Sequence, residues 1–108
     1  EELVLMADEV YQDNVYVADR PFHSFKKVVS EMGSSTPLFS FHSTSKGFMG
    51  ECGRRGGYME AHNIPSDVWD ELYKMASVSL CSNVDGQVMV SCMVKPPAEG
   101  SDAHATYQ

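Results

Sequence analysis

Pro37-Leu38-Phe39-Ser40-Phe41, followed by His42 and then by Ser43-Thr44-Ser45-Lys46-Gly47, is the stretch on which the fold turns. The apolar, aromatic-rich run has the length and composition of a buried strand. The hydroxyls, lysine and glycine after it mark the strand's carboxyl end. Upstream, Leu3-Val4-Leu5-Met6-Ala7 is a second continuous apolar run, as expected of a strand buried on both faces in a parallel sheet. It stops at Asp8-Glu9-Val10-Tyr11, where charge returns. Between the two runs, Ser24 is placed to cap a helix over residues 25–32, with Phe25, Val28, Val29 and Met32 on one face. Gly33 closes it in the position that favours a left-handed residue. Strand, helix, strand is a βαβ unit, whose strands open on the same edge. Asp8 and Lys46 are therefore expected at one edge of the sheet, where open α/β folds bind their ligands.

Downstream, Gly50-Glu51-Cys52-Gly53-Arg54-Arg55-Gly56-Gly57 is basic and glycine-rich, and residues 56–61 read as a third strand. Pro65 and Ser66 start a helix whose first turns hold Asp67, Asp70 and Glu71, matching the positive end of the helix dipole. Val68, Leu72, Met75, Ala76 and Ser79 form a stripe along it, flanked by Trp69, Tyr73 and Leu80, which predicts packing. Another helix is expected over residues 84–94, with Val84, Val88, Cys92 and Val94 available for burial and Gly86 marking close contact with another segment. Pro96 and Pro97 end it. Residues 98–108 are small, polar and without periodicity, which predicts a linker. A chain that starts in a strand and stops in a linker is expected to be a piece of something larger.

The 108 residues suffice for one modest domain, and 43% hydrophobic against 21% charged residues predicts a buried core rather than disorder. A net charge of −7 argues against nucleic acid or an anionic membrane surface as partner, with Arg54 and Arg55 a local exception. No apolar run approaches the roughly 20 residues that span a bilayer. The acidic Glu1-Glu2 start is unlike the basic start of a signal peptide. Cys52, Cys81 and Cys92 lack CxxC spacing and read as reduced thiols of an intracellular protein. His23, His42, His62 and His104 lack metal-site spacing, so no metal is expected.

An isolated lysine at a strand end is ordinarily a solvated one. Here it sits among two nearby serines, an arginine and glycine amides, groups that can hold phosphate. A free lysine amine also attacks carbonyls. An amine that forms a Schiff base beside a phosphate cradle suggests pyridoxal phosphate, which needs both.

Ala7-Asp8-Glu9-Val10-Tyr11, Ser43-Thr44-Ser45-Lys46-Gly47 and Gly53-Arg54-Arg55-Gly56-Gly57, in that order and spacing, resemble the fold-type I pyridoxal-phosphate aminotransferases. More narrowly, residues 40–60, the run Lys74-Met75-Ala76-Ser77-Val78-Ser79-Leu80-Cys81-Ser82-Asn83 and Pro96-Pro97 are similar to the alanine aminotransferases. The resemblance covers nearly the whole chain. It implies an α/β fold in which residues 1–95 are part of the cofactor-binding large domain, a mostly parallel sheet with helices packed on it. Residues 96–108 would lead toward a further C-terminal part. Lys46 would be catalytic, tethering the cofactor as a Schiff base and then moving a proton. Asp8 would pair with the pyridine nitrogen, and Tyr11 would hydrogen-bond the ring's 3′ oxygen. Ser43, Ser45 and Arg55 would bind the phosphate. Relatives show Gly-x-Arg-x-Gly after the lysine, and only Arg55 fits that frame, between Gly53 and Gly57. Arg54 takes the variable position, where a solvated or interface charge is expected. Lys46 and Arg55 are one residue further apart than in many aspartate-type relatives, as in the alanine-type pattern.

The implied reaction of the full-length parent is transamination of L-alanine with 2-oxoglutarate to pyruvate and L-glutamate, by a homodimer in the cytoplasm or mitochondrion, with the peroxisome as a third location. A relative using glyoxylate or another amino acid, and a non-catalytic fragment retaining the motifs by descent, are the alternatives. The chain has no candidate for the aromatic residue that stacks on the cofactor, the Asn-Pro segment before the Asp strand or the distal arginine that receives the substrate carboxylate. Alone, it is expected to bind cofactor weakly and to transaminate poorly or not at all.

Overall fold

The computed structural model describes residues 3–107, so the acidic start at Glu1 and Glu2 and the last residue, Gln108, lie outside the described residues. Three strands form one sheet in the order of the chain, β1 (Leu5–Asp8), β2 (Leu38–Ser43) and β3 (Gly57–His62). Helix α1 (Phe25–Glu31) joins the first two, and β1 pairs parallel to β2 with Asp8 opposite Phe41. The predicted βαβ unit is therefore present. Its helix is specified locally. The Ser24 hydroxyl accepts a bond from the Lys27 amide at 3.1 Å, and Gly33 takes φ +61° just beyond the helix end.

Among the described residues the sheet is mixed, so the expected parallel majority is not seen in this segment. β3 runs antiparallel to β2, with Ser43 opposite Gly57 and Leu38 opposite His62. A parallel return needs a crossover of a dozen or more residues, usually a helix. Residues 44–56 contain only a 3₁₀ turn at Cys52–Arg54 and double back instead. The register gives the sheet two faces, since side chains alternate along a strand. Leu5, Ala7, Leu38, Ser40 and His42 share the face that α1 covers, and the core is Ala7, Val29 and Leu38, each 5% exposed or less. Met6, Asp8, Phe39, Phe41 and Met59 share the other. The expectation that β1 is buried on both faces fails, because Met6 is 72% exposed on an edge strand whose outer face carries no helix among the described residues.

Helices α2 (Ser66–Ser77), α3 (Val84–Val94) and α4 (Asp102–Tyr107) complete the chain. The α2 stripe is not packed as its spacing predicts: α2 has no buried residue, and Met75 is 72% exposed. Val84, Val88, Cys92 and Val94 of α3 are exposed too, and Gly86 is its one buried residue. α4 forms where the sequence predicts irregular chain, and its first turn is held by the Ser101 hydroxyl, which accepts from the His104 amide at 3.3 Å. The radius of gyration is 16.3 Å, against about 13 Å for a compact domain of this length. The described segment is thus more extended than a compact domain of its length. All three cysteines are free and exposed, and no described helix is long and apolar enough to cross a membrane.

Candidate functional site

The parallel pairing of β1 and β2 delivers two loops to the same edge of the sheet. The first begins at Glu9, whose amide donates to the Phe41 carbonyl at 3.0 Å, and it turns through Tyr11, whose carbonyl accepts from the Asn14 amide at 2.9 Å. The second runs from Ser43 to Gly50. The two touch at Gly47, which has φ +61° and whose missing Cβ would stand 2.9 Å from the Val10 carbonyl oxygen. Both the backbone angle and the lack of room require glycine there. The residue after Lys46 therefore lies directly against the residue before Tyr11.

Lys46's own loop is knotted by short hydrogen bonds. The Ser43 hydroxyl accepts from the Ser45 amide at 3.0 Å, and the Glu51 amide donates to the Thr44 carbonyl at 2.8 Å. Thr44 is fully buried, and both its amide and its hydroxyl donate to the Gly56 carbonyl, at 3.0 and 3.1 Å. That pair of bonds ties the lysine loop to the start of β3, just after Arg55. Cys52 donates from its thiol to the Ser45 carbonyl at 3.2 Å. The Lys46 side chain emerges exposed from this frame, and among the described residues its amine makes no hydrogen bond or ion pair.

Arg55 is also exposed and occupies the left-handed region, at φ 52° and ψ 41°, while its guanidinium donates to the Cys52 carbonyl at 3.1 Å. Arg54 pairs with Asp85 of α3 at 3.3 Å. The two adjacent arginines thus have different surroundings. Asp8 and Tyr11 are exposed, Tyr11 by 59%, and Ser43 and Ser45 are half-buried. The structure gathers the loops that carry Asp8, Tyr11, Ser43, Ser45, Lys46 and Arg55 at one edge. Among the described residues there is no hydrogen bond or ion pair between the side chains of Asp8, Tyr11, Lys46 and Arg55.

Three residues that organise this edge lie within the motif stretches but were given no role by the sequence. Thr44 is one; its burial continues the alternation of Leu38, Ser40 and His42, which was the available signal. Glu9 is the second: its carboxylate accepts the Phe25 amide at 2.7 Å, at the positive end of α1. The third is His42, 6% exposed, whose Nδ1 accepts the Ser43 amide at 2.7 Å and whose ring stacks on Tyr58 at 5.7 Å between centroids. The Tyr58 phenol is pushed above its ordinary pKa, first by burial and then by the negative charges of Glu60, Glu9 and Asp13.

As a set of donors, a primary amine, a guanidinium and two serine hydroxyls beside open backbone suit an anionic carbonyl compound. Asp8, at the end of β1 on the same edge, suits a cationic ring nitrogen. No protein-family model matches the chain. It is 56% identical over 99% of its length to alanine aminotransferase 1, mitochondrial, of Arabidopsis thaliana, covering 20% of that protein. It is 56% identical over 97% of its length to the probable alanine aminotransferase, mitochondrial, of Dictyostelium discoideum, again covering 20%. Against alanine aminotransferase 1 of Homo sapiens it is 53% identical over its whole length and covers 23%. The chain thus spans about a fifth of the length of the curated relatives it matches.

Proposed function

We propose that this chain, homologous along its whole length to one segment of the alanine aminotransferases, is the cofactor-tethering part of an enzyme that moves the amino group of L-alanine to 2-oxoglutarate, giving pyruvate and L-glutamate. The observation that supports this reading best is the 50–56% identity across the full chain. The donor set at the sheet edge agrees with it. Pyridoxal phosphate, when bound, supplies a ring that draws electrons from the substrate's Cα. The Lys46 amine would hold its aldehyde and, once displaced by the substrate amine, would carry the proton between carbon atoms. Asp8 would keep the ring nitrogen protonated, and Tyr11 would donate to the ring oxygen. Ser43, Ser45 and Arg55 would receive the phosphate, the guanidinium as a fork and the hydroxyls as single donors.

In this reading residues 1–95 belong to the large domain, in which the three strands are part of a wider and mostly parallel sheet. Residues 96–108 lead on to a C-terminal part. The full-length protein is a homodimer in mitochondria or cytosol, with the peroxisome as the alternative; two of the relatives above carry "mitochondrial" in their names. Borohydride reduction of the full-length enzyme with pyridoxal phosphate, followed by peptide mapping, tests the reading. A stable adduct on Lys46 is expected. Lys46→Ala should lower alanine turnover by at least about a thousandfold, within the range seen for loss of a proton-transfer group. An adduct elsewhere, or turnover retained in Lys46→Ala, would overturn it.

A further inference from the structure

The proposal here rests on Arg55 meeting the cofactor's phosphate. Arg55 sits at φ 52°, a conformation that side chains other than glycine's adopt only where their surroundings over-determine it. What holds residues 54–56 is the first turn of α3. A Cβ built on Gly86 would stand 2.8 Å from the Arg54 carbonyl oxygen, 2.9 Å from the Arg55 carbonyl oxygen and 3.1 Å from the Arg55 carbonyl carbon. The contact is reciprocal, for a Cβ on Gly56 would stand 2.6 Å from the Gly86 carbonyl oxygen and 3.1 Å from its Cα. Two peptide backbones therefore lie against each other with no side chain between them, and neither has a flexible end that could yield. Asn83, just before the helix, donates its side-chain amide to the Arg54 carbonyl at 2.5 Å, and Asp85 pairs with the Arg54 guanidinium.

We propose that Gly86 is a positioning residue for the phosphate site: its bare backbone, with Asn83 beside it, sets where the Arg55 guanidinium stands at the sheet edge. A methyl group at position 86 must push residues 54–56 away from α3, and Arg55 moves with them. A guanidinium fork binds phosphate through directed bonds and loses them on displacement. The Lys46 loop shares the Gly56 carbonyl through Thr44. It is also fixed by the pairing of β2 with β1, by the Gly47 contact with the Val10 carbonyl and by the Glu51 amide on the Thr44 carbonyl. None of these involves α3, so the aldehyde end of the cofactor is disturbed less.

The test compares pyridoxal phosphate with pyridoxal, which has the same ring and aldehyde but no phosphate, on the full-length apoenzyme. Gly86→Ala should weaken pyridoxal phosphate about tenfold, a modest share of what a displaced orienting group can cost, and weaken pyridoxal by much less. Asn83→Ala should weaken pyridoxal phosphate in the same selective way but less, and serves if Gly86→Ala does not fold. Arg55→Gln tests the premise separately by removing the preference for the phosphorylated form. If Arg55→Gln removes that preference while Gly86→Ala, or Asn83→Ala in its stead, leaves the ratio at the wild-type value, the positioning role is wrong and the phosphate site stands. Equal weakening of both aldehydes by Gly86→Ala reduces Gly86 to a packing residue and also overturns the proposal. If Arg55→Gln keeps the preference, the phosphate role of Arg55 fails, and this proposal fails with it.

Discussion

α2 and α3 are close in length and opposite in how they engage the rest of the chain. α2 has a continuous apolar stripe, yet its Val68 and Met75 are 45% and 72% exposed and its Leu72 is only half-buried. α3 has no clean stripe and buries a single glycine, but that glycine lies against the backbone of the arginine pair. Amphipathic spacing states that a helix is built to be covered; it does not say that the cover lies in the same stretch of chain. A glycine that is the one buried residue of its helix makes the stronger local statement, because only another backbone within about 3 Å demands it. In these residues, order comes from the α1-covered face of the sheet and from backbone-to-backbone contact, and the stripe of α2 adds nothing to it.

That contrast can be broken at its strongest point first. In the full-length enzyme Leu38→Ala, at the fully buried centre of β2, should cost about 2–5 kcal/mol of stability by urea unfolding; a smaller loss would mean that the α1-covered face is not the core. Thr44→Val keeps the shape but leaves the Gly56 carbonyl with one donor fewer, the Thr44 amide remaining, and should cost about 0.5–1.5 kcal/mol. Ser24→Ala, which removes the α1 cap, should cost about 1 kcal/mol. On the α2 side, Met75→Ser in the chain of residues 1–108 should shift stability by no more than about 0.5 kcal/mol, as for an exposed position. The same change should cost more in the full-length enzyme. A cost well above about 0.5 kcal/mol in the chain of residues 1–108 would show that the α2 stripe packs within this segment after all, and equal small costs would show that it is not covered in the longer protein either.

The smallest expected effect is one of pH. Tyr58 lies on the α1-covered face and holds its proton more tightly in the folded chain than in the unfolded one. The folded state therefore binds more protons above the ordinary tyrosine range near pH 10, and stability falls as pH rises through it. Below that range the contribution is fully present. Tyr58→Phe should flatten the alkaline limb of the stability curve and leave neutral pH alone, as read by thermal melts across pH 8 to 11 (about the range of the titration).

Much of the strand-and-helix plan was legible, for reasons that are local. Ser24 and Gly33 bracket α1 because capping needs only neighbours, and residues 84–94 read as a helix because Pro96 and Pro97 stop it. Gly86 was readable as a contact, though not as a contact with Arg54 and Arg55. The direction of β3 was not readable, since glycines and alternation describe a strand without saying which way it pairs. Burial of the α2 stripe was predicted wrongly because periodicity cannot tell a partner in this segment from one outside it. The helix at Asp102–Tyr107 was missed because its starting signal, a serine hydroxyl on His104, lies in a stretch with no apolar repeat. At the sheet edge, Asp8, Tyr11, Ser43, Ser45, Lys46 and Arg55 were named by motif. Thr44 and Glu9 lie in the same stretches without an assigned role, and their work is to hold other residues still.

Asp8 and the turn beyond Ser43 are located by strands hydrogen-bonded in parallel register, whereas residues 15–23 between β1 and α1 are exposed, irregular chain. Insertions or deletions in that connection would lengthen or shorten a surface excursion without shifting either anchor. By contrast, one residue gained inside β2 would turn Lys46's approach to the opposite side of the sheet. Length is thus free to wander in one part of this segment and is frozen in another, and the boundary between the two regimes falls where the ladder of parallel bonds begins.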